Sequence, residues 1–187
     1  MKKQKIKTLT FALLFSIPFI VSAQLEKAEF QASGLTCSMC SNAINKALKT
    51  VSFIESISTD LNKNIFSITF KKNSTVEIDA IKKKVEGAGF SIAKFWIIAN
   101  WNNQGINNDA HVSIDGINFH FLHVNPQTLN GTLRLQLIDK NYVSSKEFKK
   151  WSTYTSMSCY QTGTMGNCCK SKDGTLAASA RIYHVTI

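Results

Sequence analysis

Beyond residue 23 the chain lacks any apolar stretch of the roughly 20 residues that a spanning helix needs, so nothing after that point reads as a membrane span. It is short of acid: 12 Asp and Glu stand against 22 Lys and Arg, a formal charge of +10 at neutral pH. Yet it also lacks the dense Arg and Lys runs, interleaved with aromatics, that mark a nucleic-acid surface. The positive excess suits acidic partners or surfaces, and the absence of such runs argues against nucleic acid. No cysteine lies directly after the early apolar run, so a lipoprotein anchor is not expected.

What is there begins with an address. Lys2, Lys3, Lys5 and Lys7 precede an apolar run from Leu9 to Val21, and Val21-Ser22-Ala23 supplies small residues before Gln24. Basic, apolar and small regions in that order predict a secretory signal peptide over 1–23, cleaved after Ala23, and a periplasmic or secreted product. An uncleaved anchor is the alternative, but the apolar run is short for one. Contact with membrane is thereby confined to this segment. Its removal takes away four lysines and no acid. What remains can hold one large or two small cores.

The five cysteines are Cys37, Cys40, Cys159, Cys168 and Cys169. An odd number in an exported chain leaves at least one thiol without an internal partner. Around the first pair, hydrophobic periodicity predicts a compact unit over 24–99. Leu25 to Ser33 reads as a strand ending at Gly34. Ala43, Ile44, Ala47, Leu48 and Val51 recur at helical spacing from Ser38 onward. Phe53 to Thr59 and Ile65 to Phe70 read as strands flanking a turn, and Ile78, Ile81, Val85 and Ala88 give a second helix stopped by Gly87-Ala88-Gly89. Phe90 to Ala99 closes the set. Strand, helix, strand, strand, helix, strand is the ferredoxin-like βαββαβ sandwich, an α+β fold.

In that order Gly34-Leu35-Thr36-Cys37-Ser38-Met39-Cys40 joins the first strand to the first helix. Two sulfurs two residues apart at a helix start can converge on one point, near the positive end of the helix dipole. Two thiolates satisfy Cu(I), Ag(I) or Hg(II), whereas Zn(II) asks for four ligands. A shallow two-ligand site also lets a partner's thiolate take the ion, which favours transfer and implies a protein partner. A structural disulfide between Cys37 and Cys40 is the alternative in an oxidising compartment. A thioredoxin-like redox pair is disfavoured, because that fold faces its cysteines with a proline and the only proline after residue 23 is Pro126.

The Gly-Leu-Thr-Cys-Ser-Met-Cys loop, the Ala-Ile-Asn-Lys-Ala-Leu helix and Gly-Ala-Gly-Phe near the end resemble the heavy-metal-associated domain of copper chaperones and metal-transporting ATPases, over about residues 31–97. The resemblance implies that Cys37 and Cys40 are the metal-binding thiolates and that Thr36 helps cap the loop. Leu35 stands where a methionine is usual. Phe90 falls where cytosolic chaperones tend to carry Lys or Tyr and ATPase domains an aromatic, which leaves donor and acceptor roles open. Periplasmic mercury-binding proteins resemble this unit as well, so Hg(II) stands beside Cu(I), with Ag(I) and Zn(II) behind.

From Trp101 to Asp109 the sequence is polar and turn-rich, and a boundary is expected at about residue 100. A small, mainly β domain over 100–187 is expected beyond it. Asp115-Gly116 between two apolar-alternating runs predicts a two-residue hairpin that sets His111 opposite His120. Such a pair could hold copper or zinc, or could simply decorate a wet face. Met157 to Cys169 holds Cys159, Cys168, Cys169 and two methionines. One disulfide from Cys159 to Cys168 or Cys169 is one reading; a soft-metal pocket completed by His184 is another. No family resemblance attaches to this half.

The sequence thus predicts an exported, non-enzymatic protein that binds a soft metal, Cu(I) foremost, for transfer, homeostasis or detoxification. A scavenger of Hg(II), and a thiol-disulfide or metal reductase using the C-terminal cysteines, are the competing readings.

Overall fold

The computed structural model describes residues 24–35, 38–169 and 179–187. The expected leader, Thr36 and Cys37 lie outside the described residues. In chain order the elements are β1 (Gln24–Ser33), α1 (Ser38–Leu48), β2 (Ile54–Asp60), β3 (Ile65–Phe70), α2 (Ile78–Gly87), β4 (Ser91–Ile106), β5 (His111–Ile114), β6 (Ile117–Phe121), β7 (Gln127–Leu137), α3 (Ser145–Trp151), α4 (Cys159–Thr162) and β8 (Ile182–Thr186).

The first six elements are the βαββαβ unit of the α+β fold. Its strands run antiparallel in the order β2-β3-β1-β4. Ala28, Phe30 and Ala32 alternate inward along β1, and a register shift between Leu25 and Lys27 restores Leu25 to the buried face. The helices answer with residues at three- and four-residue spacing: Ser41, Ile44 and Leu48 on α1, Ile78, Ile81 and Val85 on α2. Between these layers Phe30 stacks on Phe66 with centroids 4.9 Å apart and on Phe95 at 6.2 Å. Rings packed this way add to the stabilisation that burial of their area already gives.

The boundary expected at about residue 100 falls inside β4. The polar run from Trp101 remains strand as far as Ile106, because Trp101 and Ile106 are buried. Asn102 and Asn103 together oppose the single residue Asn130, since Trp101 pairs with Gly131 and Gln104 with Leu129. This is a β-bulge. Asn103 takes a left-handed φ of 51°, which asparagine tolerates, and its N–H donates to Asn130 Oδ1 at 2.7 Å. β4 therefore carries the first sheet straight into the second half, and the whole forms one eight-stranded sheet in the order β2-β3-β1-β4-β7-β8-β6-β5.

At the far end, Asp115 and Gly116 have φ of 49° and 79°, the turn that matches strand twist in a two-residue hairpin. The register follows from it: Ile114 faces Ile117, and His111 faces His120. Asp115 also accepts the Leu25 N–H at 2.8 Å, tying the hairpin to the start of β1. β8 lies between β7 and β6, antiparallel to the first and parallel to the second, and all five of its residues are buried. The two halves share one core, in which Tyr142 packs edge-on against Phe95 with centroids 5.4 Å apart. A polar seam joins them as well: Tyr142 Oη donates to Asp79 Oδ1 at 2.8 Å, and Arg181 bridges Asp79 at 3.0 Å and Asp139 at 3.1 Å. No helix among the described residues is long and apolar enough to cross a membrane.

Candidate metal sites

Gly34, with φ of 82°, turns the chain out of β1 into the loop, a conformation that costs a side-chain-bearing residue more than glycine. Leu35 packs against the core, so the loop is seated from beneath. α1 then opens at Ser38. Met39 is 81% exposed, and Cys40, half-buried, stands in the first turn. There the backbone N–H groups without intrahelical partners gather, at the positive end of the helix dipole. Cys37 immediately precedes the helix in sequence but lies outside the described residues. Phe90 is partly buried against the core.

A second set of donors gathers where β5, β6, β8 and α4 meet. The His111 and His120 rings stack with centroids 4.4 Å apart, and the His184 ring lies 5.1 Å from His120. Cys159 Sγ is 3.6 Å from His120 Nδ1 and 4.0 Å from His111 Nε2. The ligand atoms fall into two triads, His120–Cys159–His184 and His111–Cys159–Cys169, each with all its atoms within 4.8 Å of one another. Cys168 adjoins them, its sulfur 3.5 Å from that of Cys169 and 3.4 Å from Ser158 Oγ. Cys159, Cys168 and Cys169 carry no disulfide.

Two carboxylates orient the imidazoles. Asp109 Oδ1 lies 2.9 Å from His120 Nε2 and Asp139 Oδ1 lies 3.0 Å from His184 Nδ1. A carboxylate only accepts, which assigns the protons to those nitrogens; His120 Nδ1 then accepts from the Cys159 thiol, and His184 Nε2 is left as a bare lone pair. His184 is fully buried and its Nε2 has no hydrogen-bond partner among the described residues. A buried acceptor in that state costs about 1–3 kcal/mol.

The electrostatics follow from burial. His120 is pushed down to about 4, first by burial and then by the neighbouring His111 and His184, against the pull of Asp109. Burial and His184 lower His111 too. These imidazoles are neutral at pH 7 and so able to coordinate. Burial, with hydrogen bonds from Cys169 and Cys168, raises the Cys159 thiol, and burial leads the upward shift of Cys169. Burial also acts to raise Cys168, but the Ser158 hydroxyl, the Cys159 backbone N–H and the two neighbouring thiols together bring it to about 7.

Of the residues singled out in the sequence, His111, His120, Cys159, Cys169 and His184 come together, with Cys168 at their margin. The wet-face reading fails for His120, which is fully buried. Asp109 and Asp139 were not foreseen. Asp109 sits in the turn-rich run and Asp139 just beyond β7, and only tertiary packing gives them a role. His123 turns away: its φ is 56°, its N–H donates to Asn108 Oδ1 at 2.6 Å, and its ring lies 4.1 Å from that of Tyr154.

Residues 29–91 match the family model of the heavy-metal-associated domain. A probable copper-transporting ATPase of Arabidopsis thaliana is 30% identical over 99 residues, covering 53% of this chain and 10% of that protein. A copper-transporting ATPase of Helicobacter pylori is 35% identical over 68 residues, covering 36% of this chain and 9% of the ATPase. The chain thus spans about a tenth of the length of these relatives. Among solved structures, the yeast copper transporter domain Ccc2a is similar at 28% identity and a TM-score of 0.33, with 36% of this chain and 90% of that one covered. A copper-binding domain of the P-type ATPase HMA7 is 34% identical at a TM-score of 0.33, with the same coverage. Over residues 29–91 this chain is a heavy-metal-associated domain.

Proposed function

We propose that the protein is an exported carrier of Cu(I), which binds the ion between Cys37 and Cys40 and passes it to a protein partner in metal homeostasis or detoxification. The observation that carries this reading is the position of Cys40 in the first turn of α1, three residues after Cys37, within a stretch that matches the heavy-metal-associated domain. The relatives' names, copper-transporting ATPases, favour copper as the cargo. Two thiolates hold a monovalent soft ion without enclosing it, so an incoming thiolate can displace them one at a time. Met39, exposed beside Cys40, offers an adaptable apolar contact to such a partner. The work is binding and release, with no bond in a substrate broken. Export rests on the basic, apolar and small-residue order of the leader.

Anaerobic titration of the reduced chain with Cu(I), against a chromophoric competitor, tests the reading. Cys37→Ser/Cys40→Ser is expected to bind one equivalent fewer than the unsubstituted chain. An unchanged stoichiometry and affinity would refute it. Fractionation of the native host, with amino-terminal sequencing of the product, tests export: the expected sequence begins at Gln24.

A further inference from the structure

The triad formed by His120, Cys159 and His184 has the properties of a site already shaped for an ion. Its three residues are buried to 0%, 1% and 0% exposure, and their ligand atoms all lie within 4.8 Å of one another. Each imidazole is clamped by a carboxylate on its other nitrogen, Asp109 for His120 and Asp139 for His184, the arrangement that fixes ring orientation and raises basicity at metal centres. His184 Nε2 is a buried lone pair with no hydrogen-bond partner among the described residues, and packing alone gives no reason for it.

We propose that His120 Nδ1, His184 Nε2 and Cys159 Sγ form a second copper site, holding one Cu(I) independently of the Cys37–Cys40 loop. Two imidazole nitrogens and one thiolate suit this ion in three respects. Imidazole and thiolate are both ligands that copper favours, whereas zinc asks for four. One thiolate cancels the single charge of Cu(I), so the ion and its three ligands are together neutral, which a divalent ion with the same three ligands is not. Binding exchanges the Cys159 S–H bond for a sulfur–copper bond, and the proton leaves to solvent without change of oxidation state. Burial separates this site in kind from the open loop: it retains copper where the loop exchanges it. The neighbouring triad shares Cys159 and adds Cys169 and His111 beside the site.

The test uses the full reduced chain carrying Cys37→Ser/Cys40→Ser, titrated anaerobically with Cu(I) against a chromophoric competitor. One equivalent is expected to remain bound, with X-ray absorption showing both nitrogen and sulfur neighbours. Adding Cys159→Ser is expected to abolish that equivalent. Should circular dichroism show that variant unfolded, Asp109→Asn, which alters only the carboxylate behind His120, is expected to weaken binding by about 10- to 100-fold with the fold intact. The proposal is overturned if Cys37→Ser/Cys40→Ser binds no Cu(I), if its copper has only sulfur neighbours, or if folded Cys159→Ser and Asp109→Asn variants bind as tightly as their parent. Retention of the same number of equivalents by the unsubstituted and Cys37→Ser/Cys40→Ser chains would sink the loop assignment while leaving this one standing.

Discussion

Asp79 illustrates how one side chain can join two segments that the sequence reads as separate. It lies on α2, yet it accepts from Tyr142 Oη and pairs with Arg181, both from the C-terminal half. Burial acts to raise its carboxyl, but the hydrogen bond and charge of Arg181, with the Tyr142 hydroxyl, outweigh that and hold it below its ordinary value of 3.8. A carboxylate with a depressed folded pKa contributes stability at higher pH, and that contribution disappears as the pH falls through its folded value. The wild-type urea midpoint should therefore fall more steeply below about pH 4 than that of Asp79→Asn, and the two curves should converge in acid. The carboxylate is partly exposed, so the difference at pH 7 should not exceed about 1 kcal/mol. Parallel curves across that range would remove the pair from the seam. At this scale the sequence was informative only where neighbours in the chain do the work. Cys37 and Cys40 declare themselves by spacing; Asp109 and Asp139 do not, since each acts on a histidine brought from another strand.

Among the elements, the β5–β6 hairpin was the most legible, because Asp115-Gly116 encodes its own turn and a two-residue turn dictates the pairing of every residue behind it. The facing of His111 and His120 came from that logic alone. Gly116→Ala should cost about 1 kcal/mol through the left-handed φ of 79°. Because the turn sets the register, the variant's second copper equivalent should weaken along with its thermal midpoint; a lowered midpoint with copper affinity intact would separate register from stability. β4 was less legible. Its run of Asn, Gln and Gly reads as a loop by composition, and what keeps it extended is the burial of Trp101 and Ile106 with a bulge between them. The apolar residues Ile182 and Val185 of β8 suit a strand, but a parallel partner cannot be read from any local pattern.

At the scale of the molecule, a single sheet and a common core leave no place among the described residues where the chain can divide cheaply. Unfolding in urea, followed by far-UV circular dichroism and by tryptophan fluorescence, should give superimposable single transitions. Two separated transitions would mean that the halves fold as independent units despite the shared sheet. Phe30→Ala, which removes the ring stacked between Phe66 and Phe95, should shift both probes together and lower stability by about 3–5 kcal/mol. The parallel pairing of β8 with β6 has a consequence in time. Segments so distant along the chain must close a large loop before any favourable contact rewards them, and that step is slow. His184 reaches His120 only when it is complete, so a nascent or partly folded chain presents scattered thiols and imidazoles to passing ions, and the finished geometry becomes available to them last.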